Sequence, residues 1–563
     1  MNTLYLRFRE VAQRQPSRPM VKFKSGNDWQ EWSYGECLSR IDSLAAGLSK
    51  IGLVAGDRAI IMSENRPEWL FLDLAMNKLG VVSVPVHTSS NFSFIEYVVK
   101  DSGARQVFLS NAFWKKHGSE FKRLLDQYGL TIYIKDLIDR VELDDHQAKL
   151  LSSLLVDAET ECSSEELASI IYTSGTTGEP KGVMLSNNNI ISDVDASLSL
   201  FTVDKSDIFL SFLPLSHVLE RTAGQFVPLF AGATIAYAEG ISKLSKNLQE
   251  IRPTILISVP KIFERMLERV FAEMKSRPKI VQKMFFCTLK KRPHVWNQQI
   301  VDYFFKKRIS AIFGGRLKFA ICGGAAINER VLRFFKNMDI AIAEGYGLTE
   351  TSPVVAVNRL GRSKVGTVGQ PLSCVEVKIA KDKEVLVRGL SVMMGYWQKP
   401  ELTNEAFDED GWFKTGDLGF LDSENYLTII GRKKDIVVLT NGKNIFPERI
   451  ETELNLSPYI AQSVVVGHRM PSLGAIIIPD YDLIKQEFGE KYLDIKGLIK
   501  EEIGRINAKL APYENIREFS LLEKPFTIEK DELTATLKVR RHVIEKHYGK
   551  EIEALYRRAA LKK

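Results

Sequence analysis

From Tyr34 to Leu109 short apolar runs alternate with longer segments of helical spacing, and no other feature restricts the fold as strongly. Tyr34 to Lys50 carries Leu38, Ile41, Leu44, Ala45 and Leu48 at helical intervals and stops at Gly52. Arg58 to Met62 then reads as a strand, Pro67 to Leu79 as a helix ended by Gly80, and Val81 to Val86 as a strand. Phe94 to Lys100 and Val107 to Leu109 repeat the pattern. Strands this apolar are buried on both faces, so the β-α-β order predicts a mostly parallel sheet covered by helices. A second series runs from Ile208 through Thr254–Val259 and Leu317–Cys322 to Ile340–Ala343.

Past Glu350 the character changes. Val365 to Arg388 and Leu427 to Ile430 are strand-rich with Gly and Pro turns, as in an antiparallel sheet or small barrel. The charged stretch Gly431-Arg432-Lys433-Lys434-Asp435 separates apolar strands, and Pro447 opens a helix toward Leu456. The chain of 563 residues exceeds one core; about 100–200 residues per domain predicts three to five packing units. We place a boundary at about 431–435, giving a large unit over 1–431, a connector at 432–435 and a smaller mixed α and β unit over 436–563.

Composition narrows the function classes. Hydrophobic residues at 45% and charged residues at 26% argue against disorder and fibrous repeats. The longest apolar stretch, Phe226 to Ala238, is too short to span a bilayer. Arg7, Arg9, Arg14 and Arg18 have no apolar run between them, so no secretory signal is expected and the chain reads as cytoplasmic. Its five scattered cysteines suggest neither a disulfide framework nor structural zinc. A net charge of +7 suits anionic small molecules or a membrane surface and is too weak to argue for nucleic acid.

The most informative stretch is Tyr172-Thr173-Ser174-Gly175-Thr176-Thr177-Gly178-Glu179-Pro180-Lys181-Gly182, which follows the strand-like run Leu167–Tyr172. Glycines let backbone N–H groups approach an anion, hydroxyls donate further bonds, and Lys181 supplies charge, so the loop suits phosphate oxygens. Pro180 and Gly182 flank the lysine, which excludes a Walker A loop. Gly345-x-Gly347 could pass for a dinucleotide fingerprint, but Glu350 stands where the third glycine belongs. Tyr346 beside glycines can stack on a base. Thr349 and Glu350 offer a phosphate donor and an oxygen ligand for Mg²⁺, although Glu350 also reads as a helix-start acid. Asp417 follows a glycine and reads as a turn residue. His217 alone fits packing better than catalysis, and the helical spacing of Val218 to Phe226 fits simple core.

The loop at 172–182 resembles the phosphate-binding signature of the adenylate-forming superfamily: acyl-CoA synthetases, firefly luciferase and the adenylation domains of peptide synthetases. Leu213–His217, Gly323-Gly324-Ala325-Ala326, Gly345–Glu350, Thr415-Gly416-Asp417, Gly431–Asp435 and Leu533–Lys538 resemble further superfamily motifs in the expected order. The run Val218–Phe226 is similar to that of long-chain fatty acyl-CoA synthetases. This resemblance implies an α/β protein: two α/β subdomains and a β-barrel-like one, followed by a small mobile α+β C-terminal domain. It implies ATP or AMP contacts from Thr173, Ser174, Gly175, Thr176, Thr177, Gly178 and Lys181. Gly324, Ala325, Tyr346, Gly347, Thr349, Asp417 and Arg432 join them, with Asp417 and Arg432 on the ribose.

The same likeness implies that Glu350 holds Mg²⁺, that Lys538, Thr349 and Glu350 are catalytic, that His217 lies at the substrate site and that Lys434 is the hinge. The implied reaction joins a long-chain fatty acid to coenzyme A through acyl-AMP, with ATP and Mg²⁺ consumed or held. Transfer to a carrier protein, arrest at acyl-AMP, or a lipid-surface nucleotide-binding protein without turnover are the alternatives. In the first half-reaction a cation must stand between the attacking carboxylate and the α-phosphate, which repel. Lys538 is implied in that role, and rotation about the hinge would then clear its place for the thiol.

One segment falls outside this scheme. Bases from Lys275 to Lys318, among them Lys279, Lys283, Lys306, Lys307 and Arg308, are interleaved with Phe285, Phe286, Trp296, Tyr303, Phe304 and Phe305. A solvated face is the first reading. Peripheral contact with an anionic membrane, at its inner face, is the second.

Overall fold

The computed structural model describes residues 3–128, 131–134, 163–173, 179–290, 298–489, 494–528, 530–534 and 538–561. Two sheets organise the large unit. The first has seven strands in the order Gly395–Tyr396, Lys181–Ser186, Leu167–Thr173, Val82–Pro85, Arg58–Met62, Gln106–Leu109, Thr131–Ile134. The last five run parallel and the first two are antiparallel additions. The second has nine strands, with Thr234–Tyr237, Ile208–Ser211, Ile255–Ser258, Phe319–Cys322 and Ile342–Gly347 parallel at its centre.

Local chemistry sets the helix starts. Ser33 and Glu36 form a reciprocal capping box before Tyr34–Lys50, and Asn91 caps Phe92–Ser102, which Gly103 closes in the left-handed conformation. In both sheets the carboxyl ends of the parallel strands open toward one cleft, where ligands of such sheets bind. Between the sheets lies a buried ion pair. Arg221 donates to Asp73 at 2.9 and 2.6 Å and to Ser169 and Ser83 Oγ at 2.7 and 2.8 Å.

The run after His217 is helical, but Glu220–Phe226 is a π-helix and not an α-helix. Pro228 lacks the N–H that an α-helix needs at that point, and the Val227 N–H bonds back to Thr222 O. The wider turn brings Leu219, Ala223 and Val227 onto one side, where all three line the central cavity.

A four-stranded antiparallel sheet follows, Val375–Ile379, Glu384–Gly389, Phe413–Leu421 and Leu427–Arg432. Its last strand leads through the short turn Lys433–Asp435 into the C-terminal unit. There the strands Ile460–Val466, Leu473–Pro479 and Ile516–Leu521 form a sheet covered on both faces. Val465, Ala475 and Ile477 pack with Ile450 and Ile499, whereas Val464, Val466 and Ile476 pack with Phe526, Ile544 and Leu555. Period-two alternation thus serves two helical layers.

The basic-aromatic segment lies on the helices Lys279–Lys290 and Gln298–Ile312. Phe285 and Phe305 turn inward and meet edge to face at 5.3 Å, while Tyr303 and Phe304 stay exposed. Several bases have acidic partners: Lys275 with Glu487, Arg277 and Arg308 with Glu273, Lys306 with Asp339, and Lys318 with Asp207. Lys291, Arg292 and Trp296 lie outside the described residues. No helix among the described residues is long and apolar enough to cross a membrane.

Candidate active site

A cavity of about 1270 Å³ opens between the two sheets and the C-terminal unit, and most of the expected site residues border it. At one end stand Thr173, Lys181, Thr349 and Glu350. Ser174, Gly175, Thr176, Thr177 and Gly178, the centre of the expected phosphate loop, lie outside the described residues. Lys181 is held by geometry that its own stretch does not reveal. Its ammonium sits 4.7 Å over the Tyr396 ring, and the Tyr396 hydroxyl donates to Glu350 Oε1 at 3.1 Å. Tyr396 comes from the short strand paired with Lys181–Ser186, more than 200 positions away in sequence. Burial, then the Glu350 carboxylate, raises its hydroxyl pKa.

At the second corner Asp417 is 4% exposed and fully engaged. Its Oδ1 meets Arg432 Nε at 2.9 Å and its Oδ2 accepts from the Tyr346 hydroxyl at 2.6 Å. Burial pushes the Asp417 carboxyl up, against the opposing pull of Arg432. Thr415, Gly416, Tyr346, Gly347 and Arg432 reach the cavity, whereas Asp417 stands just behind its wall. Gly324 borders it with φ of +83°, a conformation that favours glycine, while Ala325 does not reach it.

The C-terminal unit closes the cleft with Lys538. Thr534 holds its backbone: the Thr534 N–H donates to Lys538 O at 2.8 Å, and the Lys538 N–H donates to Thr534 Oγ1 at 3.0 Å. The Lys538 ammonium pairs with Glu448 Oε1 at 2.8 Å. Burial pushes the Glu448 carboxyl up, but Lys538, Arg432 and Arg541 together outweigh it and the net direction is down. Lys434 borders the same cavity, and its neighbour Lys433 is anchored to Asp382 and Glu384.

The remaining arm is an apolar groove along one face of the nine-stranded sheet. Phe209, Ile255, Ile257, Phe319 and Ile321 form its wall, and Leu219, Ala223 and Val227 its roof. At its mouth stand His217 and His87. Burial pushes each imidazole down to about 4, and for His217 the nearby His87 adds to the effect. His217 accepts from the Leu219 N–H at 3.2 Å through Nδ1, which fixes its ring. Sequence reasoning passed over His87, Tyr396 and Glu448. For His87 the missed signal was a titratable residue at the carboxyl end of a parallel strand.

Among the described residues no three His, Cys, Asp or Glu side chains gather to hold a metal. Glu350, a carboxylate beside Thr173, Lys181 and Thr349, nevertheless fits Mg²⁺, which keeps waters and takes further ligands from phosphates.

A polar corner at Thr173, Lys181, Thr349 and Glu350, the buried Asp417–Arg432 pair and an apolar groove thus meet at one cavity. Residues 8–397 match the AMP-binding enzyme family and residues 434–560 its C-terminal domain, and this chain belongs to that family. Long-chain-fatty-acid–CoA ligase FadD15 of Mycobacterium bovis is 32% identical, over 94% of this chain and 92% of its own length. Human long-chain-fatty-acid–CoA ligase 1 is 29% identical over 99% and 87%. In structure the chain is similar to the adenylation domain of a carboxylate reductase from Mycobacterium chelonae, with a TM-score of 0.81 and 22% identity over 99% and 91%. It is also similar to ATP-bound MatB from Rhodopseudomonas palustris, with a TM-score of 0.73 and 22% identity over 97% and 99%.

Proposed function

We propose that this protein is an ATP-dependent, AMP-forming ligase that joins long-chain fatty acids to coenzyme A. One observation carries the reading: Lys538, the Thr349–Glu350 pair and an apolar groove converge on a single cavity. The long-chain-fatty-acid–CoA ligases to which the chain is similar over nearly all its length support the choice of substrates.

The reaction has two halves. A carboxylate oxygen attacks the α-phosphorus of ATP, the bond to the bridging oxygen breaks, and acyl-AMP and pyrophosphate result. Thr173, Lys181 and Thr349 hold the phosphates, and Asp417 with Arg432 the ribose. Glu350 would hold Mg²⁺, whose chemistry there would be charge neutralisation of the leaving pyrophosphate. Lys538 stands between two anions that repel each other, a placement that can lower a barrier by several kcal/mol. The coenzyme A thiol, giving up its proton, then attacks the acyl carbonyl and AMP departs. Lys538 is needed only in the first half, and rotation of the unit over 436–563 about Lys434 withdraws it for the second.

Pyrophosphate release from graded alkanoates, with and without coenzyme A, tests the reading. Thioester must appear only with coenzyme A. Turnover with amino acids but not alkanoates overturns the substrate, and turnover that needs a carrier protein overturns the acceptor.

The exposed face of the two basic helices supports peripheral membrane contact. Ile280, Tyr303 and Phe304 are 70%, 65% and 59% exposed, and Lys279, Lys283 and Lys307 lie on the same helices. Flotation with anionic but not neutral vesicles is expected, weakened by salt. Equal flotation with both removes this contact from the reading.

A further inference from the structure

We propose that the stacked rings of Phe201 and Phe319 are the fixed floor of the acyl groove and set the longest fatty acid the enzyme activates. This rests on the ligase reading above. The ring centroids are 5.3 Å apart at 24°, and both rings border the cavity at the end remote from His217.

The groove has a definite length. Its wall follows the strand Phe319–Cys322, whose alternate residues Phe319 and Ile321 face it before Gly323 at the nucleotide end. Four residues of strand span about 13 Å of that wall. The register sets Ile255 beside Phe319 and Ile257 beside Ile321, so the wall is continuous from mouth to floor. In the roof, Ala223 is the small side chain that leaves width for an alkyl chain.

The floor does not yield easily, because both ring-bearing segments are tied to one carboxylate. Asp207 is fully buried. It accepts from Thr254 Oγ1 at 2.6 Å and from the Asp204 N–H at 3.0 Å, in the turn that follows Phe201. Its third partner is the Lys318 ammonium at 2.8 Å, and Lys318 adjoins Phe319. Val203, two residues after Phe201, also borders the cavity and is partly exposed. A methyl end that reaches the rings must halt there. Each further methylene then displaces the carboxylate from the α-phosphate or strains the pocket, at a cost of roughly ten-fold in kcat/KM.

The test measures kcat/KM by pyrophosphate release over saturated acids of 8 to about 24 carbons, for wild type, Phe201→Ala, Phe319→Ala and Ala223→Phe. The readout is the length at which kcat/KM falls, taken within each variant, so a general loss of activity does not affect it. Wild type falls steeply past one length. Each alanine variant moves that fall about three carbons longer, and Ala223→Phe moves it shorter. If an alanine variant does not fold, Phe201→Leu carries the test with a smaller shift in the same direction. An unmoved fall in the Phe201 and Phe319 variants overturns the floor while leaving the ligase reading standing. No turnover of any alkanoate by wild type overturns that reading instead.

Discussion

Lys538 Nζ lies 2.8 Å from Glu448 Oε1, and both groups are only about one-third exposed. Glu448 opens the helix Pro447–Leu454, and its charge also acts on Asp417 and Arg432 across the cleft. The pair thus holds the Lys538 ammonium at the cavity. Lys538→Ala is expected to slow acyl-adenylate formation by about 10²–10³ and to leave thioester formation from supplied acyl-adenylate within a few-fold. Glu448 acts through Lys538, so Glu448→Gln should lower kcat for adenylation about ten-fold with KM for ATP nearly unchanged. Glu448→Asp should recover part of that loss. Single-turnover measurements of the two halves decide the matter, and equal losses in both reject the division of labour.

Lys433 is anchored to Asp382 and Glu384 on the large unit, and both Lys433 and Lys434 border the cavity. Rotation would therefore begin at Lys434. Lys434→Pro fixes one backbone dihedral there and should impair thioester synthesis more than pyrophosphate exchange. A parallel fall in the two rates argues for a hinge elsewhere.

Much of this arrangement was legible in the sequence because it rests on local signals. The strands at 58–62, 208–211, 255–258 and 319–322 follow from apolar runs, and the motif order points to the family. Contacts between distant segments were not legible. Tyr396 reaches Lys181 and Glu350 only because Gly395–Tyr396 pairs with a strand far away in the chain. Glu448 meets Lys538 across a 90-residue interval. The π-helix looked like an ordinary helix because Leu219, Ala223 and Val227 fit either period, and Pro228 was the clue.

Glu220 is the first residue of that π-helix, and burial pushes its carboxyl up to about 8. Between about 4.5 and 8 the folded protein keeps a proton that the unfolded chain releases. Glu220 therefore lowers stability progressively as pH rises through that window. Glu220→Gln should raise the urea midpoint at pH 8 and change it little at pH 5. His87 and His217 act oppositely: their folded values near 4 lie below the ordinary 6.5, so stability is lost as pH falls from about 6.5 to 4. Replacing both with Asn should flatten the acid limb, and a limb as steep as in wild type would show that other groups cause it.

Arg221 ties the same π-helix, and with it the roof of the acyl groove, to Asp73 and to two serines of the seven-stranded sheet. Side-chain exposures of 3% and 2% mean that neither charge can turn to water when its partner is removed. Arg221→Met or Asp73→Leu alone should each cost about 3–5 kcal/mol of stability, because each strands a buried charge. The double variant removes both charges and should recover most of that loss, giving a large coupling in a double-mutant cycle. Its groove would keep its apolar lining but lose the bonds to Ser83 and Ser169, so KM for the fatty acid should rise while KM for ATP stays level. Single variants within 1 kcal/mol of wild type would mean that water reaches the pair, and the roof would then owe its position to packing alone.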